Sequence, residues 1–231
     1  MGGALSAVLA CGGAADEVAE RPVLADSQVS GSDTASATSR TPRPRVVILG
    51  TSLTAGLGLE PAEAYPAVLQ QLADSAGLAV EIVNAGLSGE TSAGALRRIE
   101  WLMQQPAALL VIETGANDGL RGIEPSTTAA NLRGIIAAAR AAHPGVPIAL
   151  VAMEAPPNLG AAYTDRFRRV FSEAAAEAGA TLLPFLLQEV AGRAELNQSD
   201  GIHPTAEGAA RAARTLWPAL EPLLRRTASP P

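Results

Sequence analysis

The sequence holds two histidines, and they sit in unlike settings. His143 lies in an HPGVP stretch that reads as a surface turn, whereas His203 lies in Asp200-Gly201-Ile202-His203-Pro204. A carboxylate three residues ahead of an imidazole on a tight loop can hydrogen-bond the nearer ring nitrogen. That bond fixes the tautomer and leaves the other nitrogen free to take a proton from a hydroxyl. A general base in this chain is therefore His203, oriented by Asp200, or there is none.

Three further blocks offer partners for that base. Gly50-Thr51-Ser52-Leu53 follows an apolar run and presents a hydroxyl at Ser52 among glycines, although a serine there also serves as a helix cap. Asn84-Ala85-Gly86-Leu87-Ser88-Gly89-Glu90-Thr91 carries Gly86, whose backbone N–H no side chain shields, and Ser88, a rival nucleophile. A turn glycine is the plainer role for Gly86. Glu113-Thr114-Gly115-Ala116-Asn117-Asp118 carries Asn117, an uncharged donor suited to developing negative charge, and equally a turn former. Leu87, Met153, Pro157 and Leu159 lie in strand-end blocks and are candidates for an apolar substrate groove or for core.

The elements that must position these blocks alternate regularly. Arg45–Gly50 is a β-branched run that predicts a strand buried on both faces. Further strands are expected at residues 80–84, 108–113, 147–153 and 181–184. Helices are expected at 61–76, 91–104, 126–142, 163–178 and 205–224, the last cut short or kinked by Pro218 and Pro222. Strand–helix alternation argues for an α/β fold with a five-stranded parallel sheet and helices on both faces. Such sheets bind ligands beyond the carboxyl ends of their strands, where each block falls. In the common order 2-1-3-4-5, the loops carrying Gly86 and Asn117 straddle Ser52.

Composition removes several alternatives. At 231 residues the chain suits one domain with a sizeable core. The basic residues are all arginine, so a P-loop, which needs lysine, is excluded. A net charge of −6 argues against a nucleic-acid surface. The pairs Arg97-Arg98, Arg168-Arg169 and Arg225-Arg226 read as solvated helix faces. One cysteine excludes an internal disulfide and a zinc site built on several thiolates, and two histidines outside any H-E-x-x-H pattern argue against a catalytic zinc site.

Residues 1–44 read as leader and linker, 45–225 as the folded domain and 226–231 as a disordered tail. Val8-Leu9-Ala10-Cys11-Gly12 is similar to the lipobox of bacterial lipoprotein signal peptides, in which the cysteine is lipidated. That likeness implies a periplasmic, outer-membrane-anchored protein; the alternatives are secretion and an unstructured leader with an incidental cysteine. Stretches such as GSDTASATSRTPRP cannot bury enough apolar area to offset chain entropy and read as a flexible tether.

The four blocks resemble those of SGNH (GDSL) hydrolases, named for the Ser, Gly, Asn and His they contain. The likeness is strongest to the bacterial thioesterase/arylesterase/lysophospholipase subfamily. It extends through NAGLSGETSAG (84–94), ETGANDGLRG (113–122), EAPPNLG (154–160), LLPFLLQEV (182–190) and DGIHP (200–204). The resemblance implies a flavodoxin-like three-layer fold, no cofactor, and esters or thioesters, lipid esters included, as substrates. It implies Ser52 as nucleophile, His203 as base and Asp200 as its orienter. The N–H groups of Ser52 and Gly86 and the side chain of Asn117 become the oxyanion hole. One departure stands out: Thr51 occupies the position where the family usually has Asp. Three functions follow from these readings: a short- to medium-chain esterase or thioesterase, a carbohydrate O-acetylesterase, and a non-catalytic binding module on the same fold.

Overall fold

The computed structural model describes residues 42–228, and the leader, its Cys11 and nearly all of the linker lie outside them. The sheet is parallel, in the order β2-β1-β3-β4-β5. Its strands are β1 (Arg45–Gly50), β2 (Glu81–Gly86), β3 (Leu109–Ile112), β4 (Ile148–Val151) and β5 (Thr181–Leu183). Period-2 alternation divides the central strand between two apolar layers. Val46 and Ile48 join Leu69 and Leu216 on one face, while Val47 and Leu49 join Ile99 and Ile135 on the other. The first layer lies under α2 (Tyr65–Ser75) and α7 (Ala206–Ala228). The second lies under α3 (Ser92–Leu102), α5 (Pro125–Ala142) and α6 (Ala161–Ala178). Helices on both faces make the expected three layers.

Several boundaries differ from the sequence reading, each for a local reason. The segment 61–76 divides into a 3₁₀ turn, Pro61–Glu63, and α2, with Ala64 extended between them. Pro218 and Pro222 do not stop the last helix, which runs 23 residues to Ala228 and absorbs the first part of the expected tail. Both prolines face solvent, while Leu216, Leu220, Leu223 and Leu224 continue the buried stripe. Burying one leucine is worth roughly 1.5–3 kcal/mol, and an interior proline costs about 3 kcal/mol. The four leucines therefore offset the two prolines.

Two short helices had no periodicity to reveal them: α1 (Ser52–Ala55) and α4 (Ala116–Leu120). Each begins within a few residues of the end of a sheet strand, β1 and β3 respectively, and each carries a candidate site residue near its first turn.

Candidate active site

Ser52 is the first residue of α1, two residues beyond β1, so its N–H has no intrahelical acceptor. Gly56 closes this single turn in the left-handed region, at φ 74°. His203 arrives from the far end of the chain on a tightly tied loop. An isolated bridge joins Asn197 to Pro204, the Gln198 N–H donates to the His203 carbonyl at 2.7 Å, and that of Thr205 to Leu196 at 2.9 Å. Gln198 Nε2 also donates to the carbonyls of Leu57 (2.7 Å) and Pro204 (2.9 Å), latching the loop to the segment after α1. A Cβ at Gly208 would overlap the Leu196 carbonyl, so that glycine lets the first turn of α7 approach the loop.

The resulting line of contacts is short. Ser52 Oγ lies 2.9 Å from His203 Nε2, and His203 Nδ1 lies 2.6 Å from Asp200 Oδ2. Asp200 Oδ1 accepts the N–H groups of Ile202 (2.9 Å) and His203 (3.0 Å). The bond from the His203 ring, helped by these two amides, holds the Asp200 carboxyl well below the usual carboxylate range. An ionised carboxylate only accepts, so Nδ1 carries the proton and Nε2 is left to accept from the serine hydroxyl.

Beside Ser52 stand two further groups on independent supports. Asn117, in the first turn of α4, donates from Nδ2 to the Glu90 carbonyl at 3.0 Å, which orients the amide and leaves its second hydrogen free. The next residue, Asp118, is buried and accepts the Ser92 N–H at 2.8 Å, the Ser92 hydroxyl, and the Thr128 hydroxyl at 3.1 Å. One carboxylate thus ties α4 to α3 and α5. Gly89 turns the chain at φ 77°, and Arg121 donates to its carbonyl at 3.0 Å. Ser52, Gly89, Asn117 and His203 border one cavity of about 550 Å³, whose walls are mostly apolar: Leu53, Leu57, Leu120, Met153, Pro157 and Phe185 among them.

The sequence and the fold match known proteins. Residues 48–211 match the family described as GDSL-like Lipase/Acylhydrolase. The chain belongs to that family. Esterase TesA of Pseudomonas aeruginosa is 39% identical over 180 residues, spanning 78% of this chain and 89% of its own. Thioesterase 1/protease 1/lysophospholipase L1 of Escherichia coli strain K12 is 35% identical over 180 residues, 78% of this chain and 84% of its own. Among solved structures, TesA superposes with a TM-score of 0.74 at 39% identity, covering 78% of this chain and 99% of that one. AlinE4, an SGNH-hydrolase family esterase, superposes with a TM-score of 0.66 at 37% identity, covering 83% and 100%. This acylhydrolase is accordingly a carboxylic ester hydrolase of the SGNH type.

Within the acylhydrolase the sequence-predicted residues separate. Ser52, Asp200, His203 and Asn117 come together as described. Gly86 does not join them. The second strand continues two residues past its expected end, bringing Gly86 into register with Gly50 inside the sheet. Its N–H is occupied by Asn84 Oδ1 at 2.9 Å, and a Cβ there would overlap Ala55 N. Gly86 is therefore a packing glycine that seats α1 on β2, and Gly89 is the glycine of this block that faces the cavity. Ser88 is exposed in a separate depression lined by Leu87, Arg97, Arg98 and Arg121. Of the groove candidates, Met153 and Pro157 line the cavity; Leu87 and Leu159 do not. His143 caps α5, with Nε2 2.8 Å from the Met103 carbonyl.

Sequence reasoning missed the groups that hold the site. Arg98 Nη2 donates to Ala85 O (2.8 Å) and Gly50 O (3.2 Å), tying the ends of β2 and β1. Asn84 Nδ2 donates to the Thr54 carbonyl at 2.8 Å and secures the end of α1. Gly89 had a sequence signal: it stands immediately before the Glu-Thr-Ser that opens α3, where the chain must turn.

Proposed function

We propose that this protein hydrolyses carboxylic esters, and thioesters, of short to medium acyl groups, with Ser52 as nucleophile. His203 takes the Ser52 proton as Oγ attacks the acyl carbon, then returns it to the departing alcohol or thiol. Water, activated by the same imidazole, releases the acid from the acyl-enzyme. Asp200 stays ionised and steadies the imidazolium. The N–H groups of Ser52 and Gly89 and the Asn117 amide stabilise the oxyanion. The observation that carries this reading is the unbroken Ser52–His203–Asp200 contact line at the mouth of an apolar cavity.

That cavity falls within the roughly 300–1,000 Å³ typical of small-molecule sites. Its apolar walls favour an acyl chain over an acetylated sugar, which needs polar or stacking partners. Stoichiometric labelling of Ser52 by a fluorophosphonate, abolished in Ser52→Ala, tests the chemistry. A p-nitrophenyl ester series from acetate to octanoate, set beside acetylated sugars, tests the substrate class. A protein that is not labelled is a binding module.

The lipobox-like Val8-Leu9-Ala10-Cys11 supports a lipid-anchored periplasmic location, with residues 12–44 as tether. Among the described residues, no helix is long and apolar enough to cross a membrane. Cys11→Ser should move the protein from the membrane to the soluble fraction.

A further inference from the structure

Glu113 is a fully buried carboxyl that the proposed relay does not use. It stands one residue past β3, and its own N–H donates to the Leu49 carbonyl of β1 at 2.7 Å. The side chain reaches beneath the turn that carries Ser52. There the Thr51 N–H donates to Oε2 at 3.0 Å, and the Thr54 hydroxyl donates to the same oxygen at 2.7 Å. The Thr51 hydroxyl lies 3.2 and 3.3 Å from the two carboxyl oxygens. Thr54 Oγ1 is also 2.8 Å from the Tyr65 hydroxyl of α2. With the Thr54 proton committed to a carboxylate, Tyr65 is the donor in that pair, and the chain of bonds runs Tyr65 to Thr54 to Glu113.

Thr51 precedes Ser52 and Thr54 follows it, so one carboxylate grips both sides of the turn. The grip also explains Gly50: a Cβ there would overlap Thr54 Oγ1 and stand 2.7 Å from Glu113 Oε2. Resting on the serine-nucleophile reading above, we propose that Glu113 is a positioning residue, whose carboxylate clamps Thr51 and Thr54 to the end of β3 and so keeps Ser52 Oγ within reach of His203.

The clamp has two protonation states. As a carboxylate Glu113 accepts the bonds from Thr51 and Thr54; on taking up a proton, one of its oxygens becomes a donor, and the hydroxyls on either side of Ser52 must re-pair. Burial pushes this carboxyl up to about 7, against the opposing pull of the Thr51 and Thr54 bonds. Tyr65 is the titratable group facing it, and burial raises that phenol well above its ordinary range. Arg98, from α3, reaches the neighbouring Gly50 carbonyl, its charge answered by Glu90. The strands β1 and β3 present backbone and apolar side chains here. Turnover therefore rests on the carboxylate form of the clamp, and should fall as Glu113 takes up its proton.

The test is the pH dependence of kcat and KM on p-nitrophenyl acetate, from about pH 5 to about 9, for wild type, Glu113→Gln and Thr54→Val, with fluorophosphonate labelling of each. Wild type should lose kcat as pH falls through about 7. Glu113→Gln should remove that dependence from the acid limb, with kcat at the plateau down roughly tenfold and KM within about twofold. It should still label at Ser52. Thr54→Val keeps the carboxyl but strips one donor, so the limb should move to higher pH. Wild-type kcat with an unchanged limb in Glu113→Gln would overturn the proposal. If that variant does not fold, an unmoved limb in Thr54→Val does so instead. Activity surviving Ser52→Ala is a separate failure, of the nucleophile reading itself.

Discussion

Arg98 holds the Glu90 carboxylate through Nε at 2.8 Å and Nη2 at 2.6 Å, and the carbonyl of that same Glu90 receives the Asn117 amide. The pair is nearly enclosed, with side-chain exposures of 19% for Arg98 and 4% for Glu90. A mostly buried ion pair thus sets the direction of a side chain two elements away.

Arg98→Met leaves a buried carboxylate without its partner, a change that typically costs about 3–5 kcal/mol. Urea unfolding should show a loss of that order. Because the Glu90 carbonyl loses its anchor as well, kcat should fall more than KM changes. A variant with wild-type stability would mean that Glu90 finds water in place of the arginine.

Asn117→Ala should lower kcat by about 10²–10³ with near-normal circular dichroism, the usual loss for one oxyanion donor. Undiminished turnover on p-nitrophenyl acetate would remove Asn117 from its assigned role.

The two glycines of the 84–91 block should respond differently. Gly86→Ala drives a methyl into Ala55 N and displaces the backbone of the turn that carries Ser52, so Tm and kcat should fall together. At Gly89 no atom lies within 4 Å of an added Cβ, but φ is +77°. Its alanine variant bears about 1–2 kcal/mol of backbone strain at the cavity edge, so kcat should suffer more than Tm. A loss of kcat in Gly86→Ala with Tm unchanged, beside an unaffected Gly89→Ala, would restore Gly86 to the oxyanion hole.

Stability should carry the signature of Glu113. Its folded-state carboxyl is raised from 4.5 to about 7, so the native state holds this proton where the unfolded chain has released it. The contribution is present in full below about 4.5 and is lost as pH rises through about 7. Wild type should therefore lose up to about 3 kcal/mol relative to Glu113→Gln across that window. Asp200 works in the opposite sense: its lowered carboxyl stabilises the fold above its ordinary range and ceases to as pH falls. Parallel stability–pH curves for wild type and Glu113→Gln would contradict the first of these.

Sheet order, layering and the Ser52–His203–Asp200 group were legible because periodicity and punctuation are strong signals in this chain. Val46 to Leu49 alternate between two cores, and Ser52 and Asn117 each stand a few residues beyond the end of a sheet strand. Gly86 was misread because strand ends are poorly marked: two extra residues of pairing took its N–H out of play. The supports at Glu113, Arg98 and Asp118 were illegible for another reason. Each acts across 26 to 62 residues or within a turn whose contacts no local pattern encodes. Pro218 and Pro222 misled because helix propensity gave way to four buried leucines.

The cavity draws its walls from separate parts of the scaffold. Met153 and Pro157 hang from the end of β4, whereas Ser52 hangs from β1 and His203 from the approach to α7. Met153 is packed into the core, whereas Pro157 is exposed and stands on a different element from both Ser52 and His203, so bulk can be changed there. Substrate preference in this enzyme is thereby free to drift while its chemistry stays put, and a designer seeking a longer or shorter acyl chain has a strand-end loop to rewrite.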